Sequence, residues 1–347
     1  MSDGARDADV AVVGAGIIGC LVARRIVEGV PGTSVILIDR DGTGTGASRR
    51  SAGLHMPRGA SIRIRDMATY SQDYYDKLRA EVHGLPIFDL GMTVVAPVAA
   101  ADQLREAYLD TAAITPVERP NGIRVPDDFS AWTVNGAQYA DVYGLVQAIA
   151  RELRPRASII EGVEVTGIDP YVGGVRLRLG TGETLRVGRV VLAPGPWLDS
   201  PAWHDLLAPA GIRVKRVVAL HLEGPVESTD RAIVLEQEDA FLLPMIHRNH
   251  WLFSYTCQEW DVAPQSTDGL ADRHLDQARQ LLERYAPDFL RYRTSGRVFC
   301  DAYSPNREPV VRALTPDGRV VFAGAANGSG YRLAPAVARS AVDLLQR

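Results

Sequence analysis

A glycine-rich turn near the start of the chain is the first segment whose spacing predicts chemistry. Gly14, Gly16 and Gly19 have the G-x-G-x-x-G spacing, and they directly follow a short apolar run at residues 10–13, which is typical of a strand buried on both faces. In this arrangement the first glycine permits a tight turn, the second lets a pyrophosphate approach the backbone, and the third lets a helix pack on the strand. The helix begins inside the motif, so its first N–H groups face the phosphates.

An acidic residue supports this prediction of a dinucleotide site. Asp39 stands about 20 residues beyond Gly19, at the end of a second buried apolar run. A carboxylate at this place accepts hydrogen bonds from ribose hydroxyls and repels a 2'-phosphate. The predicted cofactor contacts of this first unit are Gly14, Gly16, Ile17, Ile18, Gly19, Asp39 and Arg40.

The order of the remaining strands distinguishes FAD from NAD. Apolar runs that predict strands of the same sheet begin near residues 10, 35, 190 and 320, and two insertions of other structure separate them. An NAD-binding half is normally completed by consecutive strand-helix units. The dispersion therefore favours FAD, one molecule per chain.

These elements predict an α/β fold with two domains. A Rossmann-type FAD-binding domain, with helices on a parallel sheet, is expected to comprise residues 1–80, 135–212 and 295–347. An α+β substrate domain with a mainly antiparallel sheet is expected from residues 81–134 and 213–294, because alternating apolar runs at 214–222, 241–246 and 251–255 indicate strands with one covered face.

Four segments, taken together, resemble the D-amino acid oxidase (DAO) family. They are the run at 12–19, the loop at 44–53, the strand and turn at 190–197, and the segment Gly328-Ser329-Gly330-Tyr331-Arg332-Leu333-Ala334-Pro335. That family includes glycine oxidase, sarcosine oxidase and D-amino acid dehydrogenase. The likeness extends along the whole chain and is weakest in the middle.

The resemblance implies further contacts with FAD. Ser48 and Arg49 would lie at the pyrophosphate, and Ser51, Ala52 and Gly53 at the isoalloxazine. The backbone of Val165 would face the adenine, while Gly195 and Trp197 would close over the dinucleotide. The segment Gly328, Ser329, Gly330, Tyr331, Arg332 and Leu333 would place N–H groups and a helix N-terminus near flavin N1 and O2, where negative charge develops on reduction.

Three residues are candidates for catalysis. Arg332 lies where sarcosine oxidases have a lysine that helps to hold the substrate carboxylate, and a guanidinium would bind a carboxylate in a fork. His55 follows the flavin loop, where a solvated loop residue is the alternative. Tyr255 lies on a predicted strand of the second domain, where a core aromatic is the alternative. Two family features have no counterpart: residues 241–254 contain no lysine for oxygen activation, and no arginine lies next to Cys300 for the substrate carboxylate.

Cys300 is a candidate for covalent attachment of the flavin. In sarcosine oxidase a cysteine near the start of the third FAD segment carries the isoalloxazine through its sulfur, and Cys300 stands in the matching region. Attachment needs a thiolate, which Arg297 or Arg307 would favour and Asp301 would oppose. A buried core cysteine is the favoured interpretation.

The resemblance implies oxidation of the C–N bond of a small amine or amino acid, with hydride transfer to flavin N5 and hydrolysis of the imine product. Oxygen or another acceptor would reoxidise the flavin. A flavin-dependent monooxygenase is one alternative, although such enzymes have a Gly-Asp pair where this chain has Gly324-Ala325. A non-catalytic FAD-binding protein is the other.

Composition restricts the partners. A formal charge of -4 without a basic stripe argues against nucleic acid. Three widely separated cysteines indicate a reducing compartment, and the polar N-terminus lacks a signal segment or membrane span, so we expect a cytoplasmic enzyme. His247 and His250 predict a polar hairpin turn rather than a metal site. The oligomeric state stays open.

Overall fold

The computed structural model describes residues 6–120, 122–265 and 269–346. The first five residues of the polar N-terminus lie outside this part. The helices are α1 (Ile17–Gly29), α2 (Ala47–Arg50), α3 (Ile62–Glu81), α4 (Ala101–Ala107), α5 (Val142–Leu153), α6 (His204–Leu207), α7 (Asp272–Tyr285) and α8 (Gly330–Leu345). The strands are β1 (Ala8–Val13), β2 (Val35–Ile38), β3 (Leu54–His55), β4 (Ile87–Pro97), β5 (Thr115–Val117), β6 (Phe129–Ala140), β7 (Ser158–Ile160), β8 (Val165–Tyr171), β9 (Gly174–Leu179), β10 (Thr184–Leu192), β11 (Arg213–Leu222), β12 (Arg231–Leu235), β13 (Ala240–Met245), β14 (His250–Trp260), β15 (Thr294–Tyr303), β16 (Val310–Ala313) and β17 (Val320–Gly324).

The first sheet is the predicted parallel one. Its strands lie in the order β16-β17-β10-β1-β2-β7, and the five strands from β17 to β7 run parallel. Helices α1, α5 and α8 pack on one face, where Leu21, Leu145 and Val337 belong to one buried cluster. The hairpin β8-β9 extends from β10 and helps to cover the other face. Each of these parallel strands is covered on both faces, which explains why its sequence is a continuous apolar run.

The second sheet is mainly antiparallel, as predicted. Its order is β15-β11-β14-β13-β12-β4-β6-β3, and only the contact of β12 with β4 is parallel among the pairings recorded for the described residues. Helix α7 packs on one face through Ala278 and Leu282, which lie in a cluster with Phe253 and Tyr255. The fold is therefore an α/β unit joined to an antiparallel one.

Three strands cross the predicted domain ranges. The ranges themselves stay a prediction, but β3, β15 and the second half of β6 hydrogen-bond into the second sheet, although nearly all of their residues fall within the ranges expected for the FAD-binding domain. Residues 42–59, which are rich in glycine, serine and arginine, contain the short helix α2 and the strand β3. Helix α3 begins at Ile62 because the Ser61 hydroxyl accepts a hydrogen bond from the N–H of Ile64 and caps the helix. None of the described helices has the length and apolarity that crossing a bilayer would require.

Candidate active site

One large cavity lies at the carboxyl ends of β1, β2, β10 and β17. Its volume is about 1210 Å³, and residues of both sheets line it. Pockets for a single small ligand usually measure about 300–1,000 Å³. Ligands of open α/β sheets bind at the carboxyl ends of the strands, so this cavity is the candidate site for a dinucleotide together with a second, smaller molecule.

The three glycines of the first turn differ in which atoms a Cβ at each position would meet. Gly14 has a φ of +101°, and a Cβ on it would overlap the carbonyl oxygen of Ala193. A Cβ on Gly19 would overlap the carbonyl oxygen of Gly14. By contrast, the closest protein atom to a Cβ on Gly16 is the Ser48 hydroxyl at 3.2 Å. Gly14 and Gly19 are therefore required by the fold, whereas Gly16 leaves open space toward the cavity.

Asp39 fixes the same turn from the end of β2. Its carboxylate accepts hydrogen bonds from the N–H groups of Ala15 at 2.7 Å and Asp41 at 2.9 Å. Burial raises the pKa of Asp39 from its ordinary value. Each oxygen keeps a further lone pair for a ligand hydroxyl. At the start of α1, the N–H of Ile17 donates to the Ser48 hydroxyl at 3.0 Å, which places Ser48 beside the helix N-terminus.

A buried indole donor tests whether this end of the cavity fits FAD. The Trp197 side chain lines the cavity, and its Nε1–H is buried without a hydrogen-bond partner among the described residues. The Arg40 guanidinium lies 4.4 Å from the Trp197 ring centroid. A buried donor without an acceptor is costly, so a ligand with acceptor oxygens beside Trp197 would stabilise this wall. The open space at Gly16, the hydrogen-bonded carboxylate of Asp39 and the unpaired Trp197 donor all fit FAD.

The glycine-rich segment after β17 forms another wall. Ala325 and Asn327 have φ values of 50° and 55°, and Gly328 has a φ of 76°, so the chain turns sharply before α8 begins at Gly330. The N–H of Gly328 donates to the carboxylate of Asp301 at 2.9 Å. The N-terminus of α8 thus opens onto the cavity with its positive dipole end.

Arg332 is half-buried in the first turn of α8 and lines the cavity. One terminal nitrogen donates to the carbonyl oxygen of Arg58 at 2.5 Å and the other to the Ser329 hydroxyl at 2.8 Å. Burial, with a smaller effect of the Arg58 charge, lowers the pKa of Arg332 to about 10, so it stays charged at neutral pH. Nearby, the Arg58 guanidinium pairs with the carboxylate of Glu236 at 2.5 Å.

Most residues predicted to bind the cofactor lie together. The same cavity is lined by Gly14, Gly16, Ile17, Ile18, Gly19, Asp39, Arg40, Ser48, Ser51, Ala52, Gly53, Val165, Gly195, Trp197, Gly328, Ser329, Gly330, Tyr331, Arg332 and Leu333. Arg49 does not line the cavity: its guanidinium lies 5.5 Å from the ring centroid of Tyr143. As the residue after Ser48 on α2, Arg49 is turned to the outer side of that helix.

His55 does not face the cavity either. It lies on β3 between Leu54 and Met56, which do line it, and its ring makes an edge contact with Tyr75 at 6.1 Å. Burial lowers the pKa of His55 to about 3, so the imidazole is neutral. A catalytic role for His55 is therefore not supported by its position.

Tyr255 borders the cavity, but its hydroxyl is directed elsewhere. The hydroxyl donates to the carbonyl oxygen of His274 at 2.9 Å, on the α7 side of the second sheet. Its strand neighbours Ser254 and Thr256 belong to the cavity wall, and successive side chains of a strand point to opposite faces. Tyr255 is a core aromatic, which was the alternative interpretation.

Cys300 lies on the opposite face of β15 from the cavity. Phe299, Asp301 and Tyr303 line the cavity, whereas Cys300 borders a separate space of about 60 Å³ next to Arg50 and Arg216. Burial raises the pKa of the Cys300 thiol, which disfavours the thiolate that attachment needs. The family resemblance covers the segment around Cys300, but it does not determine which face of β15 this side chain occupies.

For Cys300 we expect no covalent bond to flavin. Acid precipitation of the protein should leave all the yellow colour in the supernatant, and Cys300→Ala should retain the FAD content of the wild type. Fluorescence that migrates with the denatured chain and disappears in Cys300→Ala would contradict this expectation.

Asp301 gives a prediction for pH dependence. Burial raises the pKa of this carboxyl from 3.8 to about 6. Because the pKa is higher in the folded than in the unfolded chain, the folded state binds the proton more tightly, and stability decreases as the pH rises through this interval. Asp301→Asn should remove this dependence. The free energy of unfolding of the variant, measured relative to that of the wild type, should therefore increase by up to about 3 kcal/mol between pH 4 and pH 7. Denaturant titrations at matched FAD loading measure it, and parallel pH profiles would refute it.

Lys215 is a cavity residue that the sequence analysis did not identify. It lies on β11 and is buried, and its Nζ lies 4.7 Å from the ring centroid of Trp260. The chain has only two lysines, and this one interrupts an apolar alternating run. That contrast is a signal in the sequence, but it does not say which face of the strand the lysine occupies.

The fold and the cavity together define a FAD-dependent oxidoreductase. More specifically, the chain belongs to the DAO family, since the model of that family, described as FAD dependent oxidoreductase, matches residues 9–344. A comparison with curated protein sequences gave no match.

Solved structures support the fold. The chain is similar to glycine oxidase from Bacillus cereus ATCC 14579, with a TM-score of 0.80 and 16% identity over 98% of this chain and 95% of that one. It is similar to L-proline dehydrogenase from P. horikoshii, with a TM-score of 0.82 and 16% identity over 98% and 93%. It is also similar to L-α-glycerophosphate oxidase from Mycoplasma pneumoniae with FAD bound, with a TM-score of 0.80 and 16% identity over 98% and 95%.

Proposed function

We propose that this protein oxidises the C–N bond of a small amine or amino acid. The observation that carries the proposal is a cavity shared by the FAD cradle of the first sheet and a partly apolar chamber of the second, with the half-buried cation Arg332 among the residues that line it. The names of the similar glycine oxidase and L-proline dehydrogenase support an amino acid as the substrate class.

FAD, when bound, supplies the two-electron acceptor for a hydride from the carbon that bears the amine. The protein's own part is to position the substrate and to exclude water. Val217, Val234 and Phe299 line the chamber from three different strands, and their apolar side chains favour a dry substrate site. The imine formed by C–N oxidation would then be hydrolysed by water to a carbonyl compound and an amine or ammonia.

Arg332 and the N-terminus of α8 contribute positive potential to the cavity. The half-buried guanidinium of Arg332 and the free N–H groups of a helix N-terminus produce a positive potential on one wall of the cavity. This potential favours the negative charge that two-electron reduction places on the cofactor. Both terminal nitrogens of Arg332 already donate to protein oxygens, which suits a fixed electrostatic role better than a mobile one.

Anaerobic reduction of the purified yellow protein tests the proposal. Glycine, sarcosine, D- and L-amino acids and N-methyl amines should be added one at a time, and the loss of oxidised-flavin absorbance recorded. At least one member should bleach the flavin within seconds to minutes and yield the corresponding carbonyl compound. Readmission of air, with measurement of hydrogen peroxide, then distinguishes oxygen from another electron acceptor.

The same assay separates the competing functions. Reduction by NADPH but by no amine would indicate a monooxygenase. Reduction by an alcohol such as α-glycerophosphate, the substrate in the name of one similar structure, would replace C–N by C–O oxidation. Resistance to the whole panel would support a non-catalytic FAD-binding protein.

A further inference from the structure

Carboxylates line the substrate chamber, the part of the cavity walled by the second sheet. Among the described residues of this wall they are Glu236, Asp239 and Asp301. Glu236 is paired with the guanidinium of Arg58 at 2.5 Å. Asp239 is exposed to solvent, and its charge acts on the ammonium group of Lys215. Asp301 is half-buried, and the hydrogen bonds to its oxygens within the described part of the chain come from backbone N–H groups.

No imidazole of the described chain is available in this cavity to take up a proton. The chain has 7 histidines, all within the described residues, and none of them lines the cavity. The hydroxyls of Tyr255 and Tyr303 hold their own protons at neutral pH, and Asp239 favours the charged form of Lys215. A carboxylate is therefore the proton acceptor that the chamber offers, and Asp301 is the one that is neither ion-paired nor fully exposed.

Asp301 lies where the apolar wall meets the glycine-rich turn before α8. In the pairing of β11 with β15, Val217 stands opposite Phe299 and Lys215 opposite Asp301. Val217 and Phe299 belong to the apolar wall, and Asp301 follows Phe299 by two residues on the same face of β15. Its carboxylate also accepts from the N–H of Gly328 at 2.9 Å. A substrate held between this wall and a flavin at the turn would lie beside Asp301.

The carboxylate of Asp301 keeps acceptor capacity for a ligand. One oxygen accepts from the N–H of Gly328 and the other from the N–H of Ala302 at 2.8 Å. An ionised carboxylate offers about four lone pairs, so each oxygen can accept a further hydrogen bond. Burial raises the pKa of Asp301 to about 6, and the two N–H groups limit this rise. The group is ionised at pH 7, yet its pKa is close enough to that pH for it to hold a proton during turnover.

Several ionisable groups face Asp301. Lys215 faces it from β11, Tyr303 follows it on the same face of β15, and Cys300 lies on the opposite face. Asp239 lies near enough that its charge and that of Asp301 both act on Tyr303. Lys215 favours the ionised form of Asp301, whereas Asp239 favours the protonated form. The turn at residues 325–330 contains no ionisable side chain.

Oxidation of a C–N bond requires a free lone pair on nitrogen, because nitrogen forms the new double bond as the hydride leaves carbon. An amine in water at neutral pH is mostly ammonium, so one proton must be removed first. We propose that Asp301 is the general base that removes it. The N–H bond of the ammonium breaks, its electron pair stays on nitrogen, and the proton forms an O–H bond with Asp301. After the product leaves, this proton passes to water in the open cavity.

The inference rests on the proposed C–N oxidation and adds a catalytic residue to it. The apolar wall assists the transfer, because desolvation lowers the pKa of an ammonium group while it raises that of a carboxyl group. Both effects bring the two pKa values closer together. The proton transfer thus becomes less unfavourable in the chamber than in water.

The pH dependence of anaerobic flavin reduction tests the inference. With a subsaturating concentration of the best amine substrate, the wild-type rate should rise through a pH of about 6 and then level off, because only the ionised carboxylate accepts a proton. Asp301→Asn should lower the rate about 10²- to 10³-fold at pH 7. The loss should shrink as the pH approaches the pKa of the free amine, since neutral amine then enters the chamber. A merely structural role would lower the rate equally at every pH.

Two controls separate the base from other effects. Asp239→Asn removes another chamber carboxylate and should retain the rise through a pH of about 6. A substrate analogue with fluorine atoms beside the amine-bearing carbon has a lowered amine pKa, so it is already neutral at pH 7. With this analogue, wild type and Asp301→Asn should differ by less than about fivefold, and the rise should be absent in the wild type.

Infrared spectroscopy of the FAD-loaded protein without substrate gives a readout independent of turnover. The C=O stretch of a protonated carboxyl group should appear as the pH falls through about 6. Asp301→Asn should remove this component, and Asp239→Asn should retain it. A carboxyl band that titrates only in the ordinary range of an aspartate, about pH 4, would contradict the assignment.

The outcomes separate the two proposals. If no amine or amino acid reduces the flavin, the proposed function fails and the base fails with it. If amines reduce the flavin but the pH profile of Asp301→Asn is parallel to that of the wild type, C–N oxidation stands and Asp301 is not the base. Should Asp301→Asn fail to fold, the fluorinated analogue decides the question in the wild type. A rise through the same pH with an amine that is already neutral would overturn the inference.

Discussion

Gly16→Val is expected to give a folded protein that purifies without its yellow colour. A Cβ at this position has only the Ser48 hydroxyl within 4 Å, and this tight contact of 3.2 Å is relieved by a shift of a few tenths of an ångström in that one side chain. The added side chain would instead project toward the space that the pyrophosphate of FAD needs. We expect FAD to bind at least about 100-fold more weakly, which corresponds to about 2.7 kcal/mol. The ratio of flavin to protein absorbance after gel filtration measures the loss.

Gly29→Val is the matched control for this variant. Gly29 is the last residue of the same helix, and a Cβ on it would have no neighbour within 4 Å. It should therefore keep its FAD and its stability, because valine is the better helix former of the two residues. Gly14→Val and Gly19→Val, by contrast, should lower the yield of folded chain, because their Cβ atoms overlap backbone carbonyl groups. A folded Gly16→Val protein with a full complement of FAD would refute the assignment of the cradle.

Arg332→Met is expected to slow flavin reduction by about 10²- to 10³-fold, the usual effect of removing one preorganised charge or donor from an active site. The variant loses the positive charge beside α8 and leaves the Arg58 carbonyl and the Ser329 hydroxyl without their donor. We expect the rate of anaerobic reduction to fall while KM changes little.

Arg332→Lys separates charge from structure. It keeps a cation but cannot donate in two directions from one plane, so it should recover part of the rate. FAD content and the thermal transition should be compared for all variants, since a general loss of packing at α8 would lower both. A normal reduction rate in a folded, FAD-loaded Arg332→Met protein would remove Arg332 from the mechanism.

The cofactor cradle could be predicted from the sequence because its signals are local. Gly14, Gly16 and Gly19 follow a buried strand and open a helix, and Asp39 ends the next strand. The same applies to the turn before α8, where Gly328 needs a positive φ and the helix begins two residues later. Such features depend on a few consecutive residues, so their conformation can be predicted without knowing which distant strands pair.

The candidate catalytic residues were harder because strands alternate their side chains between two faces. Cys300 and Asp301 are adjacent, yet only Asp301 reaches the cavity. Tyr255 and His55 likewise belong to strands whose neighbouring residues line the wall. A shift of one residue changes the face, and the face is fixed by pairing with strands distant in sequence, such as β11 with β15. Lys215 was missed for the same reason.

The strand order has a consequence for biosynthesis. β1 pairs with β10, β10 pairs with β17, and the glycine-rich turn that completes the cavity follows β17. A growing chain on the ribosome therefore presents its first glycine turn long before the partner strands exist. FAD capture would be one of the last events of synthesis, and a chain that stops before α8 would stay colourless. Bound flavin thus reports that translation has passed the final helix.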